Sequence, residues 1–366
     1  MMQPAIAEEV VTLKTIAVQA NCAVSTVSRA LRDDAAISQG AKDAIRRVAA
    51  NLGYQSAQGR KARAASAMGN QFENKRLAIL TLGLDRSLRA LPVVASTING
   101  VEDVLSSLGV QLEVIHVPDL NEVPSHLSAA RFDGLFLQGA LHGRMIADSA
   151  RWLTDELRSI PSVWLLRRPE GAWGDGVGAN DVQLGMMAAD YLIDHGHQRI
   201  AFLSPKPDHS IMRDREGGFV AQAFRRGAEV TRFVGEPPMG WTMPMRPPMT
   251  TDAVQGLVDQ FLATSPRPTA IFAAADSVAM VLYGALAKRG VKVGEDVSVI
   301  SGNNDAPLIA GLHPALTTFD IQPQEIGRLA VRQMASLLNS SAGQPGVELT
   351  IAPKLVERES VVRLGS

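Results

Sequence analysis

Seven short apolar runs punctuate most of this 366-residue chain: LAILTL (77–82), VQLEVIHV (110–117), GLFLQG (134–139), SVWLL (162–166), RIAFLS (199–204), AIFAAA (270–275) and VSVIS (297–301). Amphipathic stretches lie between them, among them STINGVEDVLSSLG, DVQLGMMAADYLIDHG, GGFVAQAFRRG and DSVAMVLYGALAKRG. A strand that is apolar throughout must be covered on both faces. Strands of that kind alternate with helices in parallel sheets. The number of units exceeds one comfortable sheet, so two α/β lobes are expected. Ligands of open parallel sheets sit at the carboxyl ends of the strands. Two lobes facing one another therefore predict a cleft between them.

The segment before this alternation has a different texture. Over 12–54, Leu13, Ile16, Ala17 and Ala20 fall at helical spacing, as do Val24, Val27 and Leu31. Ser38 suits the N-cap of a third helix carrying Ile45, Val48, Ala49 and Leu52 on one face, with Gly53 as its stop. Asn21 lies at the sharp turn after the first helix, where Asn tolerates the left-handed conformation. Val27, Leu31, Ile16 and Ile45 can form a miniature core. Ser25, Thr26, Ser28 and Arg29 are then left facing outward. That is a helix-turn-helix with a supporting helix. A solvated helix face usually carries Glu, Lys and Gln; hydroxyls and a guanidinium suit phosphates and base edges.

Charge divides the same way. Residues 12–63 hold nine basic and three acidic side chains, a net of +6, while 64–366 carry −5 and the whole chain −1. Such asymmetry points to a nucleic-acid-binding head on an acidic body. Between them, 55–75 reads QSAQGRKARAASAMGNQFENK, too poor in large apolar residues to bury a core, and is expected to be a hinge or linker. The single cysteine, Cys22, excludes a disulfide framework and is read as a small buried hydrophobe. No apolar run reaches membrane-spanning length, and the first residues, MMQPAIAEEVV, lack a basic region before an apolar one. A cytoplasmic location and no membrane association are expected.

The stretch VTLKTIAVQANCAVSTVSRALRDDAAISQGAKDAIRRVAANLGY resembles the DNA-binding head of the LacI/GalR family of bacterial transcription regulators. The body agrees in order and spacing through IPSVWLLRRP, VGANDVQLGMMAADYLIDHGHQRIAFLS, RDREGGF, PTAIFAAADSVAMVLYGALAKRGVKVGEDVSVISGNN and HPALTTFDIQPQEIGRLAVRQM. The resemblance implies an all-α helix-turn-helix head (12–54), a hinge (55–75) and an α/β two-lobed effector domain (76–366) of the periplasmic-binding-protein-like type I fold. Three crossings of the chain would join its lobes. It further implies a repressor of transcription that binds a double-stranded DNA operator as a homodimer. A small effector in the cleft, a sugar or sugar derivative, would control operator affinity. No enzymatic activity and no cofactor are implied. The helix EIGRLAVRQMASLL is not followed by a leucine heptad, so a dimer is expected rather than a tetramer.

Matched position by position, the resemblance puts Val24, Ser25 and Arg29 in the major groove. Arg29 would reach a guanine edge and Val24 a thymine methyl. Thr12, Thr26 and Ser28 fall at phosphate-contacting positions. Two departures bear on the head. Ala23 stands where the family commonly caps the recognition helix with Ser. The hinge offers no Leu to wedge into the minor groove; Arg63 falls at that position, and with Arg60 and Lys61 it suits a narrow groove or phosphates. In the body, Arg215 matches the family's effector-contacting Arg and is expected to fork onto hydroxyls or a carboxylate. Asp276 matches the Asp of a family Asn-Asp pair whose Asn is here Ala275. Asn303 and Asn304 compete for a position usually held by Asp. Trp241 matches a cleft-lining aromatic, and Trp173 is a second such candidate.

Two other functions fit the two-lobed pattern less well. A solute-binding protein without a DNA role has no use for a basic helical head. A two-lobed enzyme needs a catalytic constellation, yet no GxGxxG follows LAILTLGLDRS, and no phosphate loop or metal-spaced His/Cys cluster occurs. His195 and His197 in DHGHQRI read as a helix-terminal feature.

Overall fold

The computed structural model describes residues 11–52, 54, 69–120, 131–139, 141, 156–236, 251–340 and 346–365, save the side chains of Arg89 and Thr251. Two units emerge, Met1–Asn70 and Gln71–Ser366.

In the first unit α1 (Leu13–Gln19) begins at Thr12, whose hydroxyl accepts from the Thr15 N–H while Thr15 reciprocates to the Thr12 backbone. This capping box satisfies two donors that a helix start leaves unpaired. Asn21 takes the left-handed conformation (φ 49°) at the turn, as its amide side chain permits. Next come α2 (Val24–Leu31), whose N-cap Ala23 makes no side-chain bond, and α3 (Gln39–Asn51), capped by Ser38. Ile16, Ala17, Val27, Ala30, Ile45 and Ala49 are the buried core, with Leu31, Cys22 and Tyr54 partly buried against it. The core contains more alanine than expected, and Leu31 sits at its margin. Asp33 staples the loop after α2 to α3 through Arg46 (2.8 Å) and Lys42 (3.2 Å). Gly53 and nearly all of the hinge, with Arg60, Lys61 and Arg63, lie outside the described residues.

The second unit is a pair of six-stranded sheets. In chain order its elements are β1 (Leu77–Leu82), a 3₁₀ turn (Arg86–Ala90), α4 (Pro92–Ser107), β2 (Leu112–Val117), β3 (Gly134–Gly139), β4 (Ser162–Leu166), β5 (Asp175–Ala179), α5 (Asp181–Asp194), β6 (Arg199–Ser204), α6 (Ser210–Arg225) and β7 (Glu229–Val234). Then follow α7 (Thr251–Ala263), β8 (Ala270–Ala273), α8 (Asp276–Ala287), β9 (Ser298–Asn303), α9 (Ala306–Ile309), β10 (Thr317–Asp320), α10 (Pro323–Leu338), β11 (Glu348–Ile351) and β12 (Lys354–Val356). Lobe one has strand order β11-β5-β4-β3-β1-β2 and lobe two β12-β10-β9-β8-β6-β7. All pairings are parallel except β10 with β12.

The chain passes between sheets after β5, after β10 and between β11 and β12. These crossings are tied together. The Asn180 N–H donates to the Ile351 carbonyl (2.9 Å), and the Gln322 side-chain amide donates to the Ala352 carbonyl (2.8 Å). Gln322 takes a left-handed backbone (φ 56°), which a side chain adopts only when its surroundings fix it.

All seven apolar runs became strands, each bound falling within two residues of the expected one; AIFAAA stops at Ala273 and VSVIS runs on to Asn303. Strand β5, DGVGA, is fully buried although its glycines carry no β signal. Its Gly178 faces the Leu166 carbonyl so closely that a Cβ would lie 1.9 Å from that oxygen. Close backbone approach likewise sets the α5–α6 packing: a Cβ on Gly185 would fall 2.0 Å from the Arg215 carbonyl oxygen. That approach brings Asp181 and Arg215 together. No described helix is long and apolar enough to cross a membrane.

Candidate functional sites

On the head, α2 presents Val24 (43 % exposed), Ser25 and Arg29 to solvent, while Thr26 and Ser28 are half-buried. Arg29 Nε donates to the Asp34 carboxylate (2.9 Å), which also accepts from the Ala36 N–H. That pairing holds the Asp34 carboxyl below the usual range. The Ser28 hydroxyl lies 2.6 Å from an Arg32 guanidinium nitrogen, which donates to it, and the Thr12 hydroxyl is engaged in its capping box. Val18, 77 % exposed on α1, adds an apolar spot beside Val24 and Lys14 that the sequence reading did not single out.

In the second unit, a cavity of about 150 Å³ lies between the lobes. Lobe one contributes an apolar wall, Leu84, Leu88, Leu91, Val93, Val94 and Leu141, and the amide of Gln138. Lobe two contributes most of the polar groups: Asp181, Lys206, His209, Arg215, Ser277 and Asn303. The strand ends explain the composition, since Gln138, Asp181, Lys206 and Asn303 all stand at or just beyond the carboxyl ends of parallel strands.

Arg215 is 2 % exposed and is not a surface ion pair with its sequence neighbours. Its Nε donates to Asp181 (2.8 Å), Nη1 to the Ala274 carbonyl (2.7 Å) and more distantly to Gly302, and Nη2 to the Asn303 side-chain oxygen (2.8 Å). Four of its five N–H groups are thus engaged by the protein. The expected fork onto a ligand is largely spent on the fold; among the described residues one N–H is left without a protein acceptor. Burial raises the Asp181 carboxyl, opposed by the Arg215 charge.

Asp276 departs from its expected place. It is fully buried and does not line the cavity. Its oxygens accept from Ser301, from the Thr318 hydroxyl (2.7 Å) and from the Asp305 N–H (2.7 Å), so it pins β9, β10 and the start of α8. Its neighbours Ala275 and Ser277 reach the cavity instead. Of the two asparagines, Asn303 lines the cavity, bridging Arg215 and Asp305, whereas the Asn304 side chain turns to Arg358 (2.8 Å). Burial pushes the Asp305 carboxyl up to about 6. Trp241 lies outside the described residues. Trp173 is a core residue, its ring edge-on to Trp164 at 5.6 Å and its N–H on Ser162.

Among the described residues, three contacts join the lobes away from the crossings. The Ser210 N–H at the start of α6 donates to the Leu141 carbonyl (2.8 Å), Arg167 pairs with Asp214, and Arg213 pairs with Glu170 (3.5 Å). His195 closes the end of α5 on the Tyr191 carbonyl, and buried His197 bonds Thr269 and the Val362 carbonyl. Among the described residues no cluster of His, Cys, Asp and Glu suits a metal ion.

With this geometry in view, comparisons with known proteins agree from both ends of the chain. Residues 12–56 match the model of bacterial regulatory proteins of the lacI family, and residues 189–361 match a periplasmic binding protein-like domain. The chain is 26 % identical over 358 residues to the HTH-type transcriptional repressor PurR of Photobacterium profundum, covering 96 % of this chain and 98 % of that one. Among solved structures it is similar to a transcriptional regulator CelR–cellobiose complex (TM-score 0.64, 23 % identity, 95 % and 99 % covered). It is also similar in fold to the lac repressor dimer bound to operator and the anti-inducer ONPF (TM-score 0.60, 19 % identity, 97 % and 100 % covered).

Proposed function

We propose, for a chain that belongs to the lacI family of bacterial regulatory proteins, that it represses transcription by binding an operator and that a small molecule between its lobes governs that binding. One observation carries the reading: the same chain joins a basic helix-turn-helix to a two-lobed domain whose cavity is walled from both lobes. On this reading Arg29, Val24 and Ser25 read base edges, and Thr12, Thr26 and Ser28 set register on phosphates. Arg63 would act from the hinge. Two copies of the chain, related by a two-fold axis, match the two halves of a pseudo-palindromic operator.

In the body, Asn303 and the free N–H of Arg215 are the proposed effector donors. Asp276 and Asn304 support them through hydrogen bonds of the fold, and Trp241 would contribute a stacking face. The relatives point to a sugar or sugar derivative, cellobiose being the ligand of one fold neighbour. A ligand touching both walls stabilises the lobe arrangement that best contacts it, and it shifts operator affinity only by the difference in its affinity for the two arrangements. The Leu141–Ser210, Arg167–Asp214 and Glu170–Arg213 contacts are then broken or made as the lobes move.

The test is selection of duplexes from a random library by the full-length protein, followed by fluorescence anisotropy on the selected sequence. A single enriched, pseudo-palindromic sequence bound with a steep salt dependence is expected. Binding with no sequence preference at any ionic strength overturns the reading.

A further inference from the structure

Among the described residues, the cavity holds one cation without a counter-charge. Lys206 lines it, just beyond the carboxyl end of β6. Among the described residues its ammonium has no ion-pair or hydrogen-bond partner; only its backbone N–H is bonded, to Ser204. The other charges there are matched. Asp181 is paired with Arg215, and Arg167 outside the cavity with Asp214. An ammonium half-removed from water without a counter-charge is costly, and burial alone brings its pKa down to about 8. A protein tolerates such a group where a ligand supplies the missing anion.

Two neighbouring features have the same polarity. Helix α6 begins four residues after Lys206, and its N-cap, His209, makes no side-chain capping bond. The first turn of a 16-residue helix carries partial positive charge; its Ser210 N–H is spent on the Leu141 carbonyl, so the N–H groups of Ile211 and Met212 are those that can face an anion. Ile211 and Met212 of that turn line the same cavity. Across the cavity, Gln138 is 3 % exposed and its amide oxygen has no partner among the described residues, so a ligand donor is wanted there. The other described residues of lobe one's wall are mostly leucine and valine.

We propose that the effector is a small carboxylate: its anionic end lies between the Lys206 ammonium and the uncapped start of α6, and its body faces Gln138 and the leucines of lobe one. The proposal rests on the cleft reading above and narrows it, so that a sugar-derived effector would be a sugar acid. One unpaired ammonium and one helix end balance a single negative charge. A phosphate dianion asks for more donors than these, beside a carboxylate that lines the same wall at Asp181.

The experiment uses matched probes at pH 7 with the full-length protein: glucuronate with glucose, ribonate with ribose, 3-phenylpropionate with 3-phenylpropanamide, and ribose 5-phosphate. Thermal shift ranks them and calorimetric titration gives affinities for the wild type, Lys206→Met and Lys206→Arg. The expected result is stabilisation by one or more carboxylates, at least tenfold weaker binding in Lys206→Met, and retention in Lys206→Arg. Carboxylate affinity in the wild type should also fall between pH 7.5 and 9.5 as Lys206 loses its charge. Asp181, His209 and Arg215 face the same space, so the Lys206→Met profile over that range is the reference; the wild-type profile alone decides if that variant does not fold. Stabilisation by the neutral partners or the phosphate alone, or carboxylate affinity indifferent to Lys206 and to pH, overturns the proposal and leaves the cleft reading standing. If no probe shifts the melting temperature, both fall.

Discussion

Arg29 and Asp34, five residues apart, are joined by a 2.9 Å hydrogen bond across the end of α2. The guanidinium proposed to read a base is therefore held, in the free head, by an acid of the following loop. Binding DNA means exchanging that carboxylate for a guanine edge. Replacing Asp34 by Ala removes a competitor and a negative charge facing the duplex. Asp34→Ala should tighten binding to operator and non-operator DNA alike, whereas Arg29→Ala should erase discrimination at one base position by roughly ten- to a hundredfold. Anisotropy on the selected duplex and a single-base variant measures both; discrimination unchanged by Arg29→Ala would remove this helix from the groove.

Loss of Arg215 should be a folding defect before it is a binding defect. Its removal strands the Asp181 carboxylate, 3 % exposed, without a cation. Breaking a buried pair from one side costs about 3–5 kcal/mol. Urea denaturation of Arg215→Met should show a loss of that size, largely restored in the Arg215→Met/Asp181→Leu double variant. Wild-type stability in the single variant would show the pair to be idle.

Asp305 predicts a pH dependence of known sign. Its carboxyl is raised by burial from an ordinary value near 3.8 to about 6 in the fold. Between those values the native protein binds more protons than the unfolded chain, so stability falls as pH rises from about 4 to about 6. Asp305→Asn keeps an acceptor for Asn303 and abolishes the titration. It should be more stable than the wild type by about 1–3 kcal/mol at pH 7 and nearly equal to it at pH 4. An advantage independent of pH would contradict the assignment.

The lobe-to-lobe contacts offer a readout of closure that needs no effector. The Ser210 amide is bonded to the Leu141 carbonyl of the opposite lobe. Arg167→Ala removes the Arg167–Asp214 pair that stands close by. Hydrogen exchange at the Ser210 amide should quicken several-fold in this variant, while amides of β6 stay protected. Equal exchange in both proteins would mean that the pair does not hold the lobes.

How much of this was readable beforehand varies by element. Strands of branched and aromatic residues, such as SVWLL and RIAFLS, announce themselves because burial on both faces leaves no room for polar alternation. Strand β5 does not, since DGVGA is shaped by backbone proximity to Leu166, a tertiary requirement. The cap at Ser38 and the left-handed turn at Asn21 follow from local chemistry and were legible. The site was legible only as positions. Sequence places Arg215 near a ligand but cannot show that Asp181, 34 residues away, and the Ala274 carbonyl have already claimed most of its donors. Nor does it distinguish Asn303 from Asn304, whose side chains part because the backbone turns through positive φ at both. Lys206 was passed over for a plain reason: a lysine among prolines in SPKPDHS reads as surface, and only the packing of two lobes withdraws it from water.

The two-residue link between β11 and β12, Ala352 and Pro353, sets what kind of movement the body can make. A bridge that short cannot slide or stretch, and its carbonyl is roped to Gln322 on the neighbouring passage. Translation of one lobe past the other is thereby restricted to what two residues can span. What is left is swivelling about the bonded crossings at Asn180, Gln322 and Ala352, and every such turn is largest at the rim farthest from them.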